Sequence, residues 1–472
     1  MTTARVRELP GFELSPNRRQ FEYQWPAESF RTVPGWSTDA HWQTMTLRES
    51  AESLAEDSRW PSFFPSPISL VTTGDHARET FMEKVVGASI VNRFPYIMAI
   101  SFCREELSGR HYSRTRFCEE LERTGTASVQ FLVPGEELAA AMRCVVDVPD
   151  KECHRRIEAA NLGTRPAHSH SGANLSAAYL VYEGKLVEPA KDFSGDAIFA
   201  RPYRDIGSHR IYFLEVRAVQ LREDIAMGQS QVHWRSLPAW GRAGDPAGLH
   251  SMDAAEISGY QKGYSPAYSF PAKNTIAFEY DTIRDGMAIK ELPPLPEDQV
   301  EVDNDRARWP CFFPQSAGMI TSWTEEGAPN IMPCGSTTVV SRRPFTLSPC
   351  LSYAGINERY APRASLNLIR RSGYFGCGVP YIDEPILDAL RYLGNVSMKK
   401  DADKVLHSGL DIERRGRTPL ISALPVHFEC KVIGEEALGT HIMFFGEVER
   451  IFVRNDVSPD NPLGWCPWAD VY

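Results

Sequence analysis

The chain has 472 residues, more than one hydrophobic core usually supports, so about two or three domains are expected. Hydrophobic residues make up 42% and charged residues 24%, the balance of a globular protein. A formal net charge of −10 excludes a general surface for nucleic acid or anionic membrane, and leaves room for a local basic pocket.

No run approaches the length of a membrane span, and the opening "MTTARVRELPGFELSP" lacks the apolar core of a secretory signal. The ten cysteines form no CxxC pair and sit mostly in apolar runs, which points to reduced thiols in a cytoplasm.

In chain order, residues 1–57 form an extension rich in Trp, Tyr and Phe. A first unit over 58–230 opens on "RWPSFFP" and continues through "ISLVTT" and "GASIVNRFPYIMAISF". Next comes "TRFCEELERTGTASVQFLVP". It predicts a short helix with Phe117 and Leu121 on one face, a stop at Gly125, and a strand alternating through Ala127, Val129, Phe131 and Val133. A helical pair ("GEELAAAMRCV", "DKECHRRIEAANLG"), the polar loop "RPAHSHSGANLS" and the strands "SAAYLVYEGKLVE" and "SHRIYFLEVRAV" complete the unit. The loop's His168 and His170, near Cys153 and His154, are read as polar surface and not as a metal site.

Residues 231–306 are rich in Trp, Tyr, Pro and Gly, too long for a simple linker and too aromatic for a disordered spacer. They are expected to wrap the flanking units. From 307 to 472 the earlier features return in order: "RWPCFFP", "GMITSW", "GSTTVVSRRPFTLSPCL", "ASLNLIRRSGYFGCGVP", "SALPVHFECKVIG" and "GTHIMFFGEVERI". Trp60 and Trp309, Gly125 and Gly373, Glu183 and Glu429, and His209 and His441 hold matching places. The chain therefore reads as one unit stated twice. In "ALPVHFECKV", Leu424, Val426, Phe428, Cys430 and Val432 alternate with His427, Glu429 and Lys431, so one face is expected in a core and the other in polar surroundings. The fold class expected is mainly β with short helices (α+β), two tandem barrels forming a pseudo-dimer. Neither a dinucleotide-binding glycine turn nor a GxSxG nucleophile setting occurs.

The order of "GSTTVVSRRP", "NERYAPRAS", "ALPVHFEC" and "THIMFFGEV", with "GASIVNRFP", "SRTRFCEELERTGTASVQFL" and "SHRIYFLEV" in the first copy, resembles the flavin reductase-like, FMN-binding split β-barrel family. The resemblance covers roughly residues 58–220 and 307–454. It departs where one copy has Arg343-Pro344 and the other Phe94-Pro95 in place of two prolines. It departs again where Gln130 and Cys377 replace a strand asparagine. These departures bear on flavin contacts more than on the fold.

The resemblance implies a flavin, FMN or else FAD, with NAD(P)H as co-substrate. Ser336, Thr337 and Thr338 would line the ring edge, where small residues let the backbone approach. A phosphate favours arginine forks and helix-entry donors, which singles out Ser341, Arg342, Arg359, Arg363 and Ser365. Ser89, Asn92, Arg114 and Thr115 are the first copy's counterparts. His441 takes the place of a histidine near flavin and nicotinamide, able to shuttle a proton if it titrates near neutrality.

The activity implied is hydride transfer from NAD(P)H to flavin and on to oxygen, a partner monooxygenase or a small-molecule substrate. Two rivals are an FMN-bound tailoring enzyme of specialised metabolism and a non-catalytic flavin- or haem-binding module. The two copies would pair internally, with further homodimerisation left open.

Overall fold

The computed structural model describes residues 42–46, 69–85, 87–108, 111–132, 136–222, 232–235, 249–252, 277–280, 289–292, 318–356, 360–378, 389, 392–394, 396–424 and 426–454. Both RWPxFFP heptads, Val133, Arg359 and most of "DEPILDALRYLG" lie outside these residues.

The protein is mainly β with few helices, built on two antiparallel sheets. The strands used below are β1 (Trp42–Thr46), β2 (Leu70–Asp75), β3 (Glu79–Lys84), β4 (Gly87–Asn92), β5 (Ile97–Cys103), β6 (Thr126–Leu132), β7 (Ala178–Leu186), β8 (Tyr203–Ile206), β9 (His209–Arg222) and β10 (Ile289–Leu292). The later strands are β11 (Gly318–Trp323), β12 (Pro329–Cys334), β13 (Thr337–Arg342), β14 (Phe345–Ser352), β15 (Tyr374–Gly378), β16 (Val426–Ala437) and β17 (His441–Arg454). The first sheet runs β3-β2-β6-β7-β9-β5-β4, with β8 and β10 also on β9. The second runs β12-β11-β15-β16-β17-β14-β13, with β1 also on β17. The seven strands along the first path correspond in order to the seven along the second.

The two helices that enter the argument also correspond. Helix α1 (Arg116–Thr124) ends at Gly125 and α2 (Ala364–Ser372) at Gly373, each glycine in the left-handed region at φ 70°. A side chain there strains the backbone, which is why both helices stop on glycine. Both lead straight into a central strand, β6 and β15.

The alternation expected in β6 and β16 needs correction. Residues 127–132 and 426–430 are buried on both faces, including Ser128, Gln130, His427 and Glu429. Covering loops explain it. Glu183 on β7 accepts from the backbone N–H groups of His168 and Ser169, and Gln130 accepts from Leu175 N at 2.6 Å. In the second half Glu429 accepts from Arg417 N at 2.5 Å, and His427 Nε2 from Ile421 N at 3.0 Å. Buried polar groups must find partners, and the loops supply them.

The halves meet along a seam. Val91, Ala99 and Phe213 of the first pack with Val340, Met443 and Phe445 of the second in one apolar cluster. Ser101 Oγ donates to Val340 O at 2.6 Å across it. Near its two ends stand matching junctions. At one, Asn92 Oδ1 accepts from Thr440 N (2.9 Å), Thr440 Oγ1 (2.8 Å) and His441 N (3.0 Å). At the other, Ser208 N donates to Arg343 O at 2.7 Å, and Ser208 Oγ accepts from Arg343 N at 3.1 Å. Gly439 and Gly207 approach so closely that a Cβ would strike Phe94 O and Arg343 O. Both glycines have positive φ, +117° and +52°.

Candidate functional site

The junction at Asn92 gathers the charged groups. His441 opens β17 opposite Ser352 of β14, and Arg363 N donates to Ser352 O at 3.3 Å. Arg363 therefore stands beside His441 at the start of α2. Tyr360 lies edge-on to His441 with centroids 5.9 Å apart, and Phe94 of the other half lies edge-on to Tyr360 at 6.0 Å. His441 Nδ1 and Thr440 Oγ1 are 2.8 Å apart.

The field at this junction is positive. His441 is half-buried, and burial, then Arg93 and Arg363, push its pKa down to about 3. The imidazole is neutral at ordinary pH, so it does not titrate near neutrality as the sequence reading supposed. Lys404, on the single-turn helix α3 (Lys404–His407), is 5% exposed. Burial first and Arg363 second lower its pKa to about 8, with Asp401 pulling weakly the other way. Its ammonium reaches Leu393 O at 3.5 Å, a long contact for a charged donor.

The start of α2 is also left open by its own sequence. Arg363 takes the N-cap position in extended conformation with no side-chain cap, and the first turn holds no acidic residue. Ser365, buried, accepts from Asn330 Nδ2 at 2.8 Å. An uncapped helix start keeps backbone donors and a positive dipole end for an anion.

The corresponding start of α1 is closed. Thr115 caps it by accepting from Cys118 N, and Asp150 Oδ2 accepts from Arg116 N at 2.6 Å. Phe117 fills the place that Ser365 takes in α2. Arg114 pairs with Glu122 at 2.5 Å. Arg210 pairs with Glu122 at 2.6 Å and Asp205 at 2.7 Å. Arg156, the buried cation nearest in role to Lys404, pairs with Glu83 at 2.5 Å. Thr115 and Arg114, expected around a cofactor, are thus drawn into a cap and an ion network.

The remaining candidates divide between the centre of the seam and its far end. Thr337 and Thr338 are buried on β13, and a Cβ on Gly87 of β4 would meet Thr338 Oγ1. Ser336 is half-buried just before them, and Ser89 is buried on β4. Ser341 and Arg342 lie near the Arg343–Ser208 junction, not with Arg363. Ser341 Oγ is buried without a hydrogen-bond partner in the structure. Their expected grouping with Arg363 is corrected: the β13–β14 hairpin carries them to the opposite end, and Arg93 from the first half serves beside Arg363 instead. Arg93, Lys404 and Asn330 were missed by sequence reasoning. The matched "NRFP" and "SRRP" carried the signal for Arg93, since a twofold exchange sends each arginine to the other half.

Residues 311–468 match the family model described as "Flavin reductase like domain", and this part of the chain belongs to that family. Among solved structures, the chain is similar to flavoredoxin from Methanosarcina acetivorans (18% identity, 33% of this chain and 77% of that one, TM-score 0.28). It is also similar to flavoredoxin of Desulfovibrio vulgaris (20%, 32% and 75%, TM-score 0.27). A third is a homologue of nitrilotriacetate monooxygenase component B from Mycobacterium thermoresistibile (22%, 31% and 72%, TM-score 0.26). No curated protein matches the chain. Among the described residues no helix is long and apolar enough to cross a membrane.

Proposed function

We propose that the chain is an FMN-dependent oxidoreductase of flavin reductase type, made of two copies of one split β-barrel, 58–230 and 307–472, that clasp one flavin at the Asn92–His441 junction. One observation carries this reading: within the family-matched segment, an uncapped helix start faces a field positive enough to depress both His441 and Lys404. A dianionic phosphate ester fits such a place. Arg363, Lys404 and Arg93 would supply charge, and the first N–H groups of α2 would supply donors.

FMN, when bound, supplies hydride acceptance from NAD(P)H and its delivery onward. The chain's own part is placement. Thr337 and Thr338 keep the neighbouring backbone approachable for a flat ring edge. His441, held neutral, offers one N–H or one lone pair and leaves no buried positive charge beside the ring. Tyr360 and Phe94 shield the junction from water. The closed start of α1 supports one flavin per chain. Residues 1–57 and 231–306 wrap the barrels, which is supported by β1 pairing with β17 and β10 with β9.

Titration of purified protein with FMN, read by fluorescence quenching, tests the site. NADH or NADPH oxidation above the free-flavin background tests the activity, with oxygen, a partner monooxygenase or a small organic substrate as acceptor. Failure to take up FMN at micromolar concentration refutes the proposal. Binding at one equivalent without nicotinamide turnover removes the reductase and leaves the FMN-bound tailoring enzyme and the non-catalytic flavin module.

A further inference from the structure

At the far junction one exchange bears directly on the histidine. Across β17 and β14, His441 stands opposite Ser352; across β9 and β5, His209 stands opposite Cys103. The cysteine brings Sγ to 2.9 Å from His209 Nε2. On the other side of the ring, Nδ1 lies 2.7 Å from Ser208 Oγ. Ser208 is itself fixed across the seam by its two hydrogen bonds with Arg343. His209 is 1% exposed, whereas Cys103 is exposed. A nucleophile at the surface, a buried base behind it and a third group orienting the base make the arrangement that activates a thiol.

Arg104, next in sequence, donates Nη2 to Gly207 O at 3.0 Å and lies 3.4 Å from Asp205. Among the carboxylates around Cys103, Asp205 and Glu122 are engaged by Arg210 and, for Glu122, also by Arg114 and the Tyr212 hydroxyl, and Glu105, two residues along, is exposed. The other described cysteines are unlike Cys103. Cys118, Cys153, Cys334, Cys350, Cys377 and Cys430 are buried, and burial pushes their thiols up, as it does for half-buried Cys144.

We propose that Cys103 and His209 form a reactive-thiol centre that hydrogen peroxide oxidises to a sulfenic acid. His209 Nε2 takes the thiol proton, and the sulfur attacks one peroxide oxygen. An S–O bond forms as the O–O bond breaks, and the departing hydroxide takes the proton back from the imidazolium to leave as water. Sulfur loses two electrons and peroxide gains them. This centre lies in the first half and does not depend on the flavin reading.

The test treats the folded chain with a small excess of hydrogen peroxide at neutral pH, traps sulfenic acid with dimedone and quantifies each cysteine peptide by mass spectrometry. Cys103 is expected to react at least tenfold faster than in the urea-unfolded chain, and His209→Asn is expected to abolish that advantage. Cys103→Ser removes the label from this peptide alone. Because His209 is buried at the seam, its variant is scored only if it folds. The folded-to-unfolded ratio in the unaltered protein decides independently, and a ratio near one overturns the proposal.

Discussion

Replacing Lys404 by methionine separates a ligand-binding lysine from a structural one, because the two roles predict opposite signs. The ordinary lysine pKa is 10.5 and the folded value about 8, so folding costs this ammonium about 3 kcal/mol below pH 8. The folded state binds fewer protons between those values, so the penalty is full below pH 8 and is relieved as pH rises to 10.5. Methionine keeps the length of the stem and removes the charge. Lys404→Met should therefore stabilise the ligand-free protein at pH 7, by up to about 3 kcal/mol, and the gain should vanish near pH 10.5. It should also weaken FMN binding, because a phosphate would have restored the favourable charge, with a loss of about 100-fold if most of that energy is recovered. In the unaltered protein, affinity should hold up to about pH 8 and fall about tenfold by pH 9, as the empty site releases the proton that the bound site keeps. Urea unfolding of the empty protein and fluorescence titration with FMN read the two effects. A variant that is less stable when empty and binds FMN unchanged would refute the reasoning.

Ser365→Phe copies Phe117 into the start of α2 and should abolish FMN binding while the far-ultraviolet circular dichroism stays the same. Asn92→Ala strands three seam donors on Thr440 and His441 and should cost about 3 kcal/mol in urea unfolding, against well under 1 kcal/mol for an exposed polar residue such as Ser194. Gly439→Ala and Gly207→Ala place a methyl group against Phe94 O and Arg343 O from a positive-φ backbone. Each should lower the free energy of urea unfolding by about 2 kcal/mol or more.

Much of the fold was written in the order of features, because strands alternating around short glycine-stopped helices leave a periodic trace. Gly125 and Gly373 announced two helix ends, and both occur in the left-handed region. The polar faces of β6 and β16 misled. Alternation records which side chains differ, and it does not show that a loop will fold over the second face. Glu183 and Glu429 are fully buried because N–H groups of the loops just upstream fold back to reach them. The site was legible only by halves. Arg363 and Ser365 stood out at a helix entry, but Arg93 belongs to the other copy and comes near only once the seam forms. Lys404 sits in "KKDADKVLHSGL", which reads as one helix of a helical pair, and a buried lysine has no local signature.

On the proposed reading of two copies on one chain, the two junctions divide their duties. A symmetric pair has to keep both pockets alike, since every residue acts in both. Once the copies lie on one chain, each position is free at one end only. Near Asn92, the helix start stayed uncapped, serine stayed where bulk would block it, and cations outnumber carboxylates. At the far end a threonine cap, Phe117 and the Arg114–Glu122–Arg210–Asp205 network close the matching space. That network pairs its charges among its own side chains, whereas Lys404 at the open end is held below its ordinary pKa by burial and Arg363. At the closed end the histidine keeps a fixed orientation, and Cys103, where the other half has Ser352, gives that histidine a thiol to act on.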